Sequence, residues 1–175
     1  MSYKQLLNNI RALVFDVDGV LTNGQVLVTT DGEMLRSMNI KDGYALKTAV
    51  DQGMLVCIIS GGSNEGVRKR LMGLGVKHIH LGANNKVSLL EAFIETHNLQ
   101  PEQIVYMGDD LPDLQVMQMV GLPCCPQDAA PEVKKVSRYV SHKDGGTGCV
   151  RDVIEQVLKV QAKWPVDAGI DARYD

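Results

Sequence analysis

The sequence predicts an α/β protein: a doubly wound, mostly parallel, Rossmann-like sheet with helices on both faces. Three observations predict it. Short apolar runs alternate with helical stretches along the chain. The runs hold Val, Ile and Leu continuously rather than at every second position, as strands buried on both faces do. Polar or Gly-rich turns follow the runs, as β-to-α connections require.

The runs lie at 12–15, 54–59, 78–81, 104–107 and 122–125, with 139–141 as a weaker sixth. Helical segments are expected at 43–52, 64–74, 86–97, 112–120 and 130–136. In the third, Val87, Leu90, Phe93 and Ile94 keep a 3.6-residue stripe, and Pro112 and Pro131 suit first-turn positions. A last helix at about 147–163 places Val150, Val153, Ile154, Val157 and Leu158 on one face. One segment breaks the alternation. Residues 24–40 hold two extended runs around "TTDG", which reads as a β-hairpin flap after the first strand. The hairpin either folds back on its own domain or packs against another subunit. With no repeat, linker or low-complexity tract, residues 1–164 are expected to be one domain. The tail at 165–175 lacks periodicity and is expected to be mobile.

The 175 residues are 45% hydrophobic and 22% charged, with a net charge of -3, as in ordinary globular proteins. Mild acidity argues against nucleic acid, whose phosphates call for a basic patch. The longest basic run, "RKR" at 68–70, reads as a solvated helix face. No apolar segment approaches the roughly 20 residues that span a bilayer, and the N-terminus interleaves charge with apolar residues, unlike a signal peptide. Cys57, Cys124, Cys125 and Cys149 form no CxxC pair, which favours reduced thiols and the cytoplasm. Cys124 and Cys125 should point to opposite sides of an extended chain.

In open α/β sheets, ligands bind outside the carboxyl ends of the strands. The first strand delivers Asp16 and Asp18, followed by Gly19 and Thr22, and the second delivers Ser60, Gly61 and Gly62. Lys86 follows the third, and the fourth delivers Asp109, Asp110 and Asp113 in "MGDDLPD". Carboxylates so close repel one another unless a cation lies between them. An oxygen-only inventory suits Mg²⁺, which habitually shares its shell with phosphate. His78 and His80 share a strand face, but no third ligand accompanies them. Lys86, Ser60 and nearby N–H groups can hold phosphoryl oxygens. One carboxylate can then attack phosphorus while a second serves as acid and base.

"DVDGVLT", "IISG", Lys86 and "GDDLPD" resemble, in order, the four motifs of the haloacid dehalogenase superfamily of phosphohydrolases. The resemblance implies Asp16 as nucleophile and metal ligand. Asp18 is implied as general acid/base, lending its backbone carbonyl to Mg²⁺. Ser60 would bind the phosphoryl group, Lys86 would stabilise it, and Asp109 would bind the metal. Asp110 would support that shell, and Asp113 would anchor Lys86 or the loop. Thr22, Gly61 and Gly62 join the substrate side of the site.

Between Asp16, Ser60 and Lys86 there is no room for an inserted cap domain. With "NIKDGYALK" and "GGTGCVRDVIE", the chain resembles the capless subfamily of 3-deoxy-D-manno-octulosonate (KDO) 8-phosphate phosphatases. That resemblance implies hydrolysis of a 3-deoxy-2-keto sugar-acid phosphate, and a homotetramer in which hairpins pair and neighbours close the sites. It departs at Gly62, where these enzymes usually carry Arg. This leaves open a nine-carbon keto-acid 9-phosphate as substrate, with Arg68 as a replacement charge. A phosphoacceptor receiver domain and a non-catalytic oligomerisation module are the readings of another class.

Overall fold

The computed structural model describes residues 2–165. The continuous apolar runs form strands β1 (Ala12–Phe15), β4 (Leu55–Ile59), β5 (His78–His80), β6 (Ile104–Met107), β7 (Leu122–Cys125) and β8 (Tyr139–Val140). They make one sheet in the order β5-β4-β1-β6-β7-β8, and every pairing is parallel. The hairpin separates as β2 (Leu27–Val28) and β3 (Met34–Leu35), an antiparallel pair outside the main sheet. Its turn is closed by Thr29 N–H donating to Glu33 O at 2.9 Å. The expected tail at 165–175 lies outside the described residues, apart from Pro165.

Between the strands run α1 (Ile40–Asp51), α2 (Glu65–Gly73), α3 (Lys86–His97), α4 (Leu114–Met117), α5 (Pro131–Val136) and α6 (Cys149–Val160). Asparagine side chains start three of them: Asn39 accepts from Lys41 N–H, Asn64 from Val67 N–H and Asn85 from Ser88 N–H. The Asn39 cap moves the start of α1 ahead of the expected Gly43. The helix expected at 112–120 shrinks to a 3₁₀ turn, Leu111–Asp113, running into the single-turn α4. Here the Asp113 carboxylate bonds to groups of the neighbouring strand and helix.

Alternate strand residues feed two separate cores. Leu13, Phe15, Ile58, Val105, Met107 and Cys124 pack with residues of α1, α2 and α6. Ala12, Val14, Cys57, Ile59, Tyr106 and Cys125 pack with residues of α3, α4 and α5. Cys124 and Cys125 thus point to opposite faces, and all four cysteines are buried and free. Phe15 is fully buried, and its truncation to Ala would cost about 3–5 kcal/mol. This two-sided burial fixes β1 rigidly in mid-sheet. The chain leaves β1 towards β4 and β5, then crosses back to β6 on the other side. The carboxyl end of β1 is therefore the topological switch point, where a crevice opens.

Candidate active site

A cleft of about 780 Å³ opens at that switch point, lined among others by Asp16, Asp18, Ser60, Lys86, Asp109 and Asp113. Asp16 follows β1 directly, and its N–H continues the ladder to Met107 O at 3.1 Å. Its Oδ1 accepts from Val17 N–H at 2.6 Å and its Oδ2 from Lys86 Nζ at 2.7 Å. Lys86, the first residue of α3, also donates to Asp113 Oδ1 at 2.8 Å. Asp113 is almost wholly buried, and it accepts in addition from Tyr106 O–H at 2.7 Å and Asp109 N–H at 3.2 Å. Gly19 lets the first loop lie against the fourth. Its φ is +81°, and a β-carbon there would overlap the Asp109 carboxylate.

Electrostatics leaves this cluster short of positive charge. Burial pushes Asp16 up to about 6, helped by the Asp113 charge and opposed by Lys86. Burial, with Asp16, Asp113 and Asp110 behind it, pushes Asp109 up to about 7. For Lys86, burial pulls the ammonium down, but Asp16 and Asp113 outweigh it and the net shift is upward. Oxygens of Asp16, Asp109 and Asp113 lie within 4.8 Å of one another, close enough to share a metal ion. Asp113 accepts three hydrogen bonds, against two for Asp16, and is the most deeply buried of the three, so Asp16 and Asp109 are the pair with lone pairs to spare. A hard divalent cation fits this donor set. Asp113 then serves as the anchor of Lys86 and of the loop.

Comparison with known proteins agrees with this geometry. A family model described as haloacid dehalogenase-like hydrolase matches residues 79–153. The chain is 39% identical over 155 residues to 3-deoxy-D-manno-octulosonate 8-phosphate phosphatase of Salmonella typhi, covering 89% of this chain and 82% of that protein. The chain belongs to this phosphatase family. The Yersinia pestis family member superposes with a TM-score of 0.89 at 36% identity, over 91% of this chain and 86% of that one. The Moraxella catarrhalis member, solved with magnesium, phosphate and KDO, superposes at 0.87 with 31% identity, over 91% of each chain. Family membership agrees with the capless α/β sheet: among the described residues, only the hairpin, α1 and β4 lie between β1 and Ser60.

Of the residues expected on the substrate side, Ser60, Gly61 and Gly62 line the cleft. The Ser60 hydroxyl oxygen accepts from Gly62 N–H at 3.3 Å, leaving its proton to donate. One expectation needs correction. Thr22 is fully buried, and its Oγ1 accepts from Gly19 and Gly24 N–H, each at 3.2 Å. It shapes the loop and is not part of the cleft wall. Arg68 lies along α2, donating to Ile79 O at 3.2 Å and pairing with Glu65 at 3.4 Å. It is absent from the cleft wall of its own chain, because those partners draw the guanidinium back towards β5.

Two residues escaped the sequence reading. Tyr106 hides inside the apolar run "IVYM", where only a hydroxyl in mid-strand hints at a buried partner. Arg36 sits at the foot of the hairpin and pairs with Asp18, Nε to Oδ1 at 3.1 Å. Nothing in its spacing announces that contact, which forms across 18 residues of chain.

Proposed function

We propose that the chain is a Mg²⁺-dependent phosphatase that hydrolyses KDO 8-phosphate, or a closely similar 3-deoxy-2-keto sugar-acid phosphate, through an aspartyl-phosphate. The observation that carries this reading is the Asp16–Lys86–Asp113 chain of hydrogen bonds beside an under-neutralised Asp109. It is supported by the family's shared substrate name and by the relative that holds magnesium, phosphate and KDO together.

Asp16, Asp109 and the Asp18 backbone carbonyl would hold the ion. Bound there, Mg²⁺ supplies charge stabilisation for the phosphoryl oxygens in flight. Lys86 keeps Asp16 Oδ2 in place, and Ser60 donates to a phosphoryl oxygen. An Asp16 oxygen attacks phosphorus, the ester P–O bond breaks, and Asp18 gives a proton to the departing sugar oxygen. Asp18, now a base, takes a proton from water, whose oxygen attacks phosphorus and releases Asp16 and inorganic phosphate.

Residues 1–164 act as one domain in this reading, and the hairpin supports a homotetramer. Val26, Leu27, Val28, Met34 and Leu35 are exposed apolar residues on a two-stranded flap, and a second copy of the chain would cover them. The four buried free thiols suit the cytoplasm. Among the described residues no helix is long and apolar enough to cross a membrane.

The deciding measurement is phosphate release with Mg²⁺ from KDO 8-phosphate and from nine-carbon keto-acid 9-phosphates, for the native chain and Asp16→Asn. The native chain should turn over the eight-carbon ester, and the variant should stay folded and lose activity by orders of magnitude. Retention of most activity in the variant would sink the mechanism.

A further inference from the structure

Arg36 follows β3 directly and turns its side chain from the hairpin towards the catalytic loop. Its Nε donates to Asp18 Oδ1 at 3.1 Å and its Nη2 to Asp18 Oδ2 at 3.2 Å. Its Nη1 donates to the carbonyl of Met34 at 2.8 Å. A guanidinium carries five N–H donors in a rigid planar fork. Three are engaged here, so one N–H on each Nη remains. The side edge, Nε with Nη2, is occupied by Asp18. The end edge, Nη1 with Nη2, is the one a second carboxylate would meet.

Gly62 keeps the approach to that edge open. A β-carbon at position 62 would stand 3.4 Å from Arg36 Nη2 and 3.0 Å from Asp18 Oδ2, so a longer side chain there would crowd the guanidinium. Asp18 and Gly62 both line the catalytic cleft. Arg36 itself lines a second groove, of about 500 Å³, under the hairpin. Arg36 thus adjoins both spaces: it lines the groove and, from outside the cleft wall, holds Asp18 of that wall.

The charge inventory calls for such a group. Asp16, Asp18, Asp109, Asp110 and Asp113 line the cleft, with Lys86 as the one cation in its wall among the described residues. Lys86 is already shared between two carboxylates. A leaving group bearing its own carboxylate meets a negative wall unless another cation receives it. Arg36, with only 10% of its side chain exposed, is weakly screened by salt.

We propose that Arg36 determines specificity: its end edge binds the carboxylate of the sugar-acid leaving group while its side edge keeps Asp18 in place. This rests on the reaction proposed above and deepens it. One guanidinium then ties recognition of the acid to the position of the general acid/base. Selectivity for an anionic leaving group resides in the hairpin, not in α2.

The test compares kcat/KM for KDO 8-phosphate and for its C1 methyl ester, with Mg²⁺, in the native chain, Arg36→Gln and Arg36→Lys. The native chain should prefer the free acid. The acid-to-ester ratio should fall about tenfold or more in Arg36→Gln, chiefly through KM for the acid. Arg36→Lys keeps the charge without the fork and should give an intermediate ratio, which also serves if the glutamine variant misfolds. Equal ratios in native and variant proteins, or no native preference, would overturn the assignment while leaving the phosphatase reading intact. If the native chain releases phosphate from neither ester, the proposed reaction fails and this assignment falls with it.

Discussion

Lys86 is tied to Asp113 as closely as to Asp16: its Nζ lies 2.8 Å from the one and 2.7 Å from the other. Asp113 is in turn pinned by Tyr106 O–H and Asp109 N–H. The ammonium is therefore aimed by a carboxylate that need never touch substrate.

Asp113→Asn should then lower kcat by about ten- to a hundredfold, the scale of a small misplacement of a catalytic group, with a smaller effect on KM. Tyr106→Phe leaves a buried carboxylate one donor short and should cost about 1–3 kcal/mol in denaturant unfolding. Steady-state kinetics and urea titration of the two variants separate these effects. An Asp113→Asn enzyme with native kcat would remove the anchoring role.

Metal binding should depend on pH with a definite sign. A cation needs Asp16 and Asp109 ionised, and their protons come off only at about 6 and about 7. Both values are raised above the ordinary 3.8, so without metal these groups favour the folded state at low pH and lose that contribution as pH climbs through 6 and 7. Mg²⁺ replaces the protons. Its stabilisation, read as the rise in Tm on adding the ion, should be small at pH 5.5 and grow towards pH 8. A rise independent of pH would place the ion elsewhere.

Most of this site was legible because its parts sit at strand ends, where short spacing and residue type suffice. Asp16, Ser60, Lys86 and Asp109 each follow an apolar run or open a helix. Thr22 was misread because a hydroxyl seven residues beyond the strand can face a ligand or its own loop, and only the bonds to Gly19 and Gly24 decide. Arg68 lies outside the cleft wall of its own chain, because a helical charge two turns from a motif is free to lean away from it. Tyr106 and Arg36 act through tertiary contacts from a core strand and a flap, and no local pattern encodes those. The strands kept their places within a residue or two, since continuous apolar runs flanked by turns leave little choice. The helix at 112–120 came out short because one of its own residues, Asp113, is committed to the site.

Away from the cleft, Asp42 makes the fold itself sensitive to pH. It is buried at the start of α1, where its Oδ1 accepts from Arg151 N–H in the first turn of α6 at 2.8 Å. Its Oδ2 has no hydrogen-bond partner among the described residues. Burial pushes it up to about 6, and the Arg151 N–H draws it only partly back. The value lies above the unfolded 3.8, so its contribution to stability is full below that pH and is lost as pH rises through 6. Asp42→Asn should therefore gain on the native chain between pH 4 and pH 7, by an amount on the order of 3 kcal/mol. Unfolding curves of both proteins at the two pH values measure it; parallel curves would show that Asp42 is ionised throughout.

The hairpin poses the last question, because it exposes apolar surface beside the residue that holds Asp18. Leu27 and Val28 are 68% and 64% exposed, so in a lone chain a charge at either position costs almost nothing in stability. If copies of the chain cover the flap, the same charge must be buried unpaired in an apolar contact, at a cost of several kcal/mol. Leu27→Glu combined with Val28→Glu should thus reduce the sedimentation mass to that of one chain, with the far-ultraviolet circular dichroism unchanged. Activity should fall as well, since Arg36 follows β3 directly and depends on the hairpin for its aim. A variant with native mass and native kcat/KM would show that the exposed flap is free in solution and that Asp18 does not depend on it.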